Sequence, residues 1–198
     1  TPFLRRAYQK FRYPSFGFTY LGFNVQDERF RDVRVRRAIN AAIDKQAIID
    51  GVLYGLGSVA TGPYPKESWA YDPSIEPVSY DPAAAKRWLA EAGWADHDGD
   101  GWLDRDGAPF RFTILTNQGN EVRRQVSELV KQQLADIGVE VKIRVIEWAS
   151  FVHEFIDKRR FEAVLLGWSL SRDPDLYDLF HSSKTREGEY NFVGYANP

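Results

Sequence analysis

Between Phe110 and Trp168 the hydrophobic rhythm changes at each successive segment, and this alternation restricts the fold more than any other feature of the chain. FRFTILT (110–116) is a short run rich in β-branched and aromatic residues, which reads as a strand. NEVRRQVSELVKQQLADIG (120–138) then places Val122, Val126, Leu129, Val130, Leu134 and Ile137 at helical spacing, with Asn120 as a cap and Gly138 as a stop. VEVKIRVIEW (139–148) sets Val139, Val141, Ile143 and Val145 against Glu140, Lys142 and Arg144, the pattern of a half-buried strand near a sheet edge. ASFVHEFIDKRR (149–160) reads as a short amphipathic helix, and FEAVLLGW (161–168) as a buried strand. The order β-α-β-α-β predicts parallel strands joined by right-handed crossovers.

Open sheets of this kind bind ligands outside the carboxyl ends of their strands. Those ends are Thr116-Asn117-Gln118, Glu147-Trp148 and Gly167-Trp168-Ser169. Asn117, Trp148 and Trp168 are therefore expected on one binding edge, although a Trp at a strand end also serves as a plug for the core rim. The carboxylates Glu147 and Asp173 both follow predicted strands and offer a second reading, hydrolysis by a carboxylate pair.

Upstream, SFGFTYLGFNV (15–25) reads as another strand. In the run from Phe30 to Leu53, Asp32 can cap a helix on which Val35, Ile39, Ala42, Ile43 and Ala47 recur at helical spacing. Asp81 and Pro82 open a further helix that Gly93 closes. Residues 51–80 contain six Gly and Pro between Gly51 and Pro65 alone. With Tyr54, Tyr64, Trp69, Tyr71 and Tyr80 they are too apolar for a solvated tether and read as an ordered arm packed on another body. A short helix is expected near 174–181, and NFVGYANP (191–198) looks strand-like.

Residues 96–107, DHDGDGWLDRDG, concentrate five Asp. Asp96, Asp98 and Asp100 followed by Gly101 match the first half of a calcium loop, with Trp102 at the backbone-ligand position and Asp104 two residues on. The closing bidentate Glu is absent, because Gly107 stands there; Asp106 or a carbonyl would have to complete the shell. The residues fit either a structural Ca²⁺ or a solvated Asp-Gly turn.

Several chemistries are excluded. There is no cysteine, hence no thiolate ligand, Cys nucleophile or disulfide. The three His are scattered, and no phosphate-cradling glycine loop or G-x-S-x-G elbow occurs. A net charge of −2 gives no general pull toward nucleic acid. The basic stretch 29–37 reads as a solvated helix face, and neither it nor RRAYQKFR (5–12) leads to an expected nucleic-acid partner. The absence of any Met, including at position 1, reads as a processed or excised piece.

Four quoted segments carry a resemblance: DVRVRRAINAAIDK, YDPAAAKRWLAEAGW with DGDGWLDRDG, FEAVLLGWSLSRDPD, and NFVGYANP. Together they resemble the bacterial extracellular solute-binding proteins of family 5, the oligopeptide-, dipeptide- and nickel-binding components of ABC importers. The resemblance implies an α/β fold, one lobe of a two-lobed clamp, here the second lobe over 1–198 and incomplete at both ends. It implies non-catalytic capture of a peptide, oligosaccharide or amine-type solute, with no required cofactor. The missing first lobe and a membrane permease would be its partners, in the periplasm or outside the cell, with a lipoprotein anchor as one arrangement. In peptide-binding members the strand matching 161–168 ends in Trp, here Trp168, followed three residues later by an Asp that meets the peptide amine. That position is Ser171 here, and Asp173 of the D-P element is the alternative anchor. Ser169 joins the candidates from the strand end, and Tyr177, like Trp168, offers a ring to stack on a sugar face or cap an apolar side chain.

Overall fold

The computed structural model describes residues 13 and 15–196. The basic run 5–12 and the last two residues of NFVGYANP lie outside them. Strand β1 (Gly17–Phe23) is followed by helices α1 (Glu28–Arg31), α2 (Val33–Ala42), α3 (Lys45–Val52) and α4 (Pro82–Glu91). A two-residue hairpin pairs β2 (Asp104–Arg105) with β3 (Ala108–Pro109). Then come β4 (Arg111–Asn117), α5 (Glu121–Ala135), β5 (Glu140–Ile146), α6 (Trp148–Ser150), a π-helical stretch Phe151–Ile156, β6 (Ala163–Ser169) and α7 (Tyr177–Phe180).

The main sheet has the order β1-β6-β4-β5. β4 runs parallel to both β5 and β6, as the alternating periods predict, and β5 is the edge strand. β1 joins on the far side, antiparallel to β6, with Gly17 opposite Ser169 and Phe23 opposite Ala163. Two apolar layers cover the sheet. On one face α2, α4 and α5 pack Val35, Ile39, Leu89, Val130 and Leu134 against Phe110, Phe112 and Ile114, with Phe30 edge-on to Phe112 at 5.1 Å. On the other, Phe151, Ile156, Phe161 and Phe192 close over Leu115, Val164 and Leu166.

The caps form as read. Asn120 accepts from the Arg123 N–H at 3.0 Å, Asp81 from the Ala84 N–H at 2.8 Å, and Asp32 from the Arg34 N–H at 2.8 Å. Gly93 and Gly138 take φ of +86° and +82°, the left-handed turn that ends a helix without steric cost.

Three expectations change. The run after Asp32 is two helices, because Asp44 accepts from the Ala47 N–H at 2.9 Å and so caps a new start. Residues 149–160 are a single α-turn followed by the π stretch. The 191–194 segment is a turn rather than a strand, with Asn191 and Phe192 buried, and the Val193 carbonyl accepts from the Val25 N–H at 3.0 Å. Residues 53–81, within the expected arm, contain no helix or strand. This arm is tied by a few bonds: Lys45 Nζ to the Val78 carbonyl (3.2 Å), the Asp81 N–H to the Ala41 carbonyl (2.9 Å), and Tyr64 Oη to the Pro174 carbonyl (2.8 Å). Its Tyr54, Trp69 and Tyr80 are exposed.

Candidate functional site

The order β6-β4-β5 brings the three expected strand ends to one sheet edge. β4 ends at Asn117, and the Gln118 N–H still reaches the Ile146 carbonyl at 2.7 Å. Because Leu115 sits opposite Val164, β6 continues past the level of Asn117 to Ser169. β5 hands over directly to Trp148, which is half exposed. Burial along β5 is uneven: Val141 and Ile146 are buried, whereas Val145 is exposed. The strand ends on Ile146, which is buried in the layer formed with Leu115 and Phe151.

Trp168 is half-buried. Its ring meets Tyr190 edge-on at 5.5 Å and lies 6.2 Å from Phe192, so part of it rests on the core rim. The phenol of Tyr20 is beside it, its pKa pushed up by burial and eased by the Trp168 indole and the Arg123 charge.

Arg123, which the sequence reading passed over, donates from Nη1 to Asn117 Oδ1 at 2.7 Å. Burial lowers its pKa, an effect that Tyr20 offsets. Two glycines leave this corner clear: a Cβ on Gly167 would stand 2.9 Å from the Phe18 carbonyl oxygen and 3.1 Å from Arg123 Nη2, and one on Gly17 would stand 2.8 Å from the Trp168 carbonyl oxygen.

The loop after β6 is polar. Ser171 Oγ donates to the Asp173 carbonyl at 3.0 Å, and Asp173 Oδ1 accepts from the Asp175 N–H at 3.2 Å. Asp173 and Ser169 are exposed. Tyr177 is exposed, stacks on His181 at 4.3 Å and carries Lys184 over its ring at 5.3 Å.

Glu147, half of the carboxylate pair that the sequence offered, is a helix cap. Its two carboxylate oxygens accept the Ala149 and Ser150 N–H groups at 2.9 and 3.0 Å, capping α6. Those bonds hold its pKa low, the reverse of what a general acid needs.

The acidic loop lies elsewhere. The Leu103 N–H bonds the Gly138 carbonyl at 2.7 Å, which places the loop at the amino ends of β4 and β5, across the sheet from Trp168. Asp96, Asp98 and Asp100 bring oxygens within 4.8 Å of one another. Asp104 does not join them: it accepts from the His97 N–H at 3.1 Å and faces His97 Nδ1 at 3.0 Å. Asp106 sits outside this trio, in the positive-φ turn of the β2–β3 hairpin. Trp102 donates its N–H to Asp100 at 2.8 Å. Asp96 accepts from Gly99 and Gly101. Of the six expected ligand residues, Asp96, Asp98 and Asp100 are the three whose carboxylates gather.

The family described as bacterial extracellular solute-binding proteins, family 5 Middle, matches residues 2–190. The oligopeptide-binding protein AppA of Bacillus subtilis is 44% identical over 183 residues, covering 91% of this chain and 34% of that protein. Its structure in complex with a nonapeptide superposes with a TM-score of 0.87 over 92% of this chain and 37% of that one. NikZ from Campylobacter jejuni, in complex with Ni(L-His), is 29% identical with a TM-score of 0.86, over 94% of this chain and 38% of that one. The chain spans about a third of the length of the relatives it matches.

Proposed function

The chain belongs to the bacterial extracellular solute-binding proteins of family 5, and on that premise we propose that it is one lobe of a two-lobed receptor that captures a peptide-like solute. The observation that carries this reading is the sheet edge, where half-buried Trp168 and Asn117 gather with exposed Trp148 and the largely exposed loop Ser169–Asp173. An edge shaped this way holds a ligand only when a second surface closes on it. Differential affinity for the closed arrangement is then what shifts the population toward closure. The peptide class is supported by the relative at 44% identity, whose structure holds a nonapeptide.

Capture here needs no chemistry. Glu147 is spent as a helix cap, and the carboxylates of the acidic loop sit across the sheet. Delivery to an ABC permease, and a place in the periplasm or outside the cell with or without a lipid anchor, follow as the setting for such a receptor. Ser171 stands where peptide-binding members carry their amine anchor, so the free Asp173 oxygen is the group proposed to meet an ammonium. Calorimetry of the full-length protein against short peptides tests the reading. Micromolar binding is expected there, with no submillimolar binding to residues 1–198 alone. Equal affinity of the two would overturn the two-lobe account.

A further inference from the structure

The arm carries the least explained surface of the molecule. Trp69 is 82% exposed, an unusual position for an indole in an ordered segment. It is not on a free tip. Two successive turns, Ser68 N–H to the Pro65 carbonyl (2.9 Å) and Tyr71 N–H to the Ser68 carbonyl (3.1 Å), fix the Glu67-Ser68-Trp69 tripeptide. Tyr64 pins the arm to Pro174, two residues past Arg172. Phe16 is held at the same place, because its carbonyl accepts from the Leu170 N–H at 2.6 Å just beyond the end of β6. Phe16, Glu67, Ser68, Trp69 and Arg172 thereby line a hollow of about 340 Å³ that opens beside the carboxyl end of β6.

The chemistry of this hollow is specific. It has two rings, and its one carboxylate and one guanidinium have opposite charge. Among the described residues neither the Glu67 carboxylate nor the Arg172 guanidinium has an ion-pair or hydrogen-bond partner. The charges offset each other, so the hollow does not select by net charge. Its flat apolar faces and polar rim match a ring with a hydrogen-bonding edge, and its volume matches one side chain rather than a whole oligopeptide.

We propose that this hollow is a solute subsite for one aromatic side chain of the captured peptide, with Trp69 as its stacking wall and Glu67 and Arg172 as polar contacts at its rim. The proposal rests on the peptide reading above and adds the arm to the binding surface.

The test uses the full-length protein and six pentapeptides: pentaalanine and its five single-Tyr variants, measured by calorimetry. One Tyr position is expected to bind about ten-fold tighter than pentaalanine, a difference of about 1.4 kcal/mol. Trp69→Ala should remove that advantage and leave pentaalanine affinity within about two-fold, whereas Trp69→Phe should keep most of it. Circular dichroism and a melting curve on each variant establish that both remain folded. If the Tyr advantage survives in Trp69→Ala, or pentaalanine loses as much affinity as the Tyr peptide, the subsite is wrong while peptide capture stands. Binding of peptides with no Tyr preference in the unmodified protein also removes the subsite alone. Binding of none of the six removes both proposals.

Discussion

Residues 110–169 and residues 53–81 are both rich in large apolar side chains, and the fold uses them in opposite ways. In the first segment the apolar residues repeat with the period of a strand or a helix, so one face of each element collects them. Phe110, Phe112, Ile114, Leu134, Val139 and Val164 are all buried. In the arm the aromatic residues fall between Gly and Pro without a period, no element gathers them to one side, and Trp69 and Tyr54 remain in solvent. Hydrophobic content alone does not make a core; spacing does. Apolar residues left without spacing are free to meet something from outside.

The contrast can be broken most directly by truncation. Phe112→Ala should cost about 3–5 kcal/mol, since the ring is buried against Phe30 and Phe110. Trp69→Ala should change stability by less than about 0.5 kcal/mol. Urea unfolding of both gives the answer, and comparable losses would mean that the arm is part of the core after all. Asn120→Ala comes next, with an expected loss of about 1 kcal/mol from the uncapped α5. Tyr64→Phe deletes the bond to Pro174 and should cost about 0.5–1 kcal/mol. It should also speed hydrogen exchange at the Asp175 and Tyr177 amides; unchanged exchange would detach the arm from that loop.

Acid sharpens the picture at the amino edge of the sheet. Burial would raise the Asp27 carboxyl, but its bonds to Arg29 outweigh burial and hold it below the usual carboxylate range. Arg29 also reaches Glu162, whose other oxygen accepts from the Thr113 N–H at 2.7 Å. A carboxyl depressed on folding contributes stability above its unfolded value near 3.8, and that contribution fades as pH falls through the folded value. Asp27→Asn should therefore flatten the fall in melting temperature below about pH 4 and leave its shape near pH 7 unchanged.

Calcium is expected to have the smallest effect. If the Asp96–Asp98–Asp100 trio takes the ion, a free concentration equal to Kd adds only about 0.4 kcal/mol. A small melting shift reversed by chelator and abolished in Asp98→Asn is the expected outcome; identical curves with and without millimolar Ca²⁺ would leave the loop a self-bonded turn.

Much of this was legible in the order of residues. The parallel β4, β5 and β6, the edge position of β5 and the shared strand ends followed from periods that fix which face each side chain takes. The Asp44 cap was legible too, in an Asp three residues before Ala47, but the apolar repeat running through Ile43 hid it. The π stretch was not legible, because nothing in FVHEFI separates an i+5 ladder from an i+4 one. The hollow beside Arg172 was also out of reach, since it depends on Tyr64 meeting Pro174 across 110 positions. Spacing in the acidic loop could not show that His97 engages Asp104, since that bond depends on the turn between them.

Gly17 and Gly167 lie on neighbouring strands at the very edge where the solute is proposed to dock, and each is hemmed in by the other strand's carbonyl. A methyl group at either would wedge β1 away from β6 and tilt everything mounted on their ends. In a saturation screen these two sites should tolerate almost no replacement, while the exposed side chains around them vary freely. Descendants of this chain can therefore change what they carry more easily than they can change the frame that carries it.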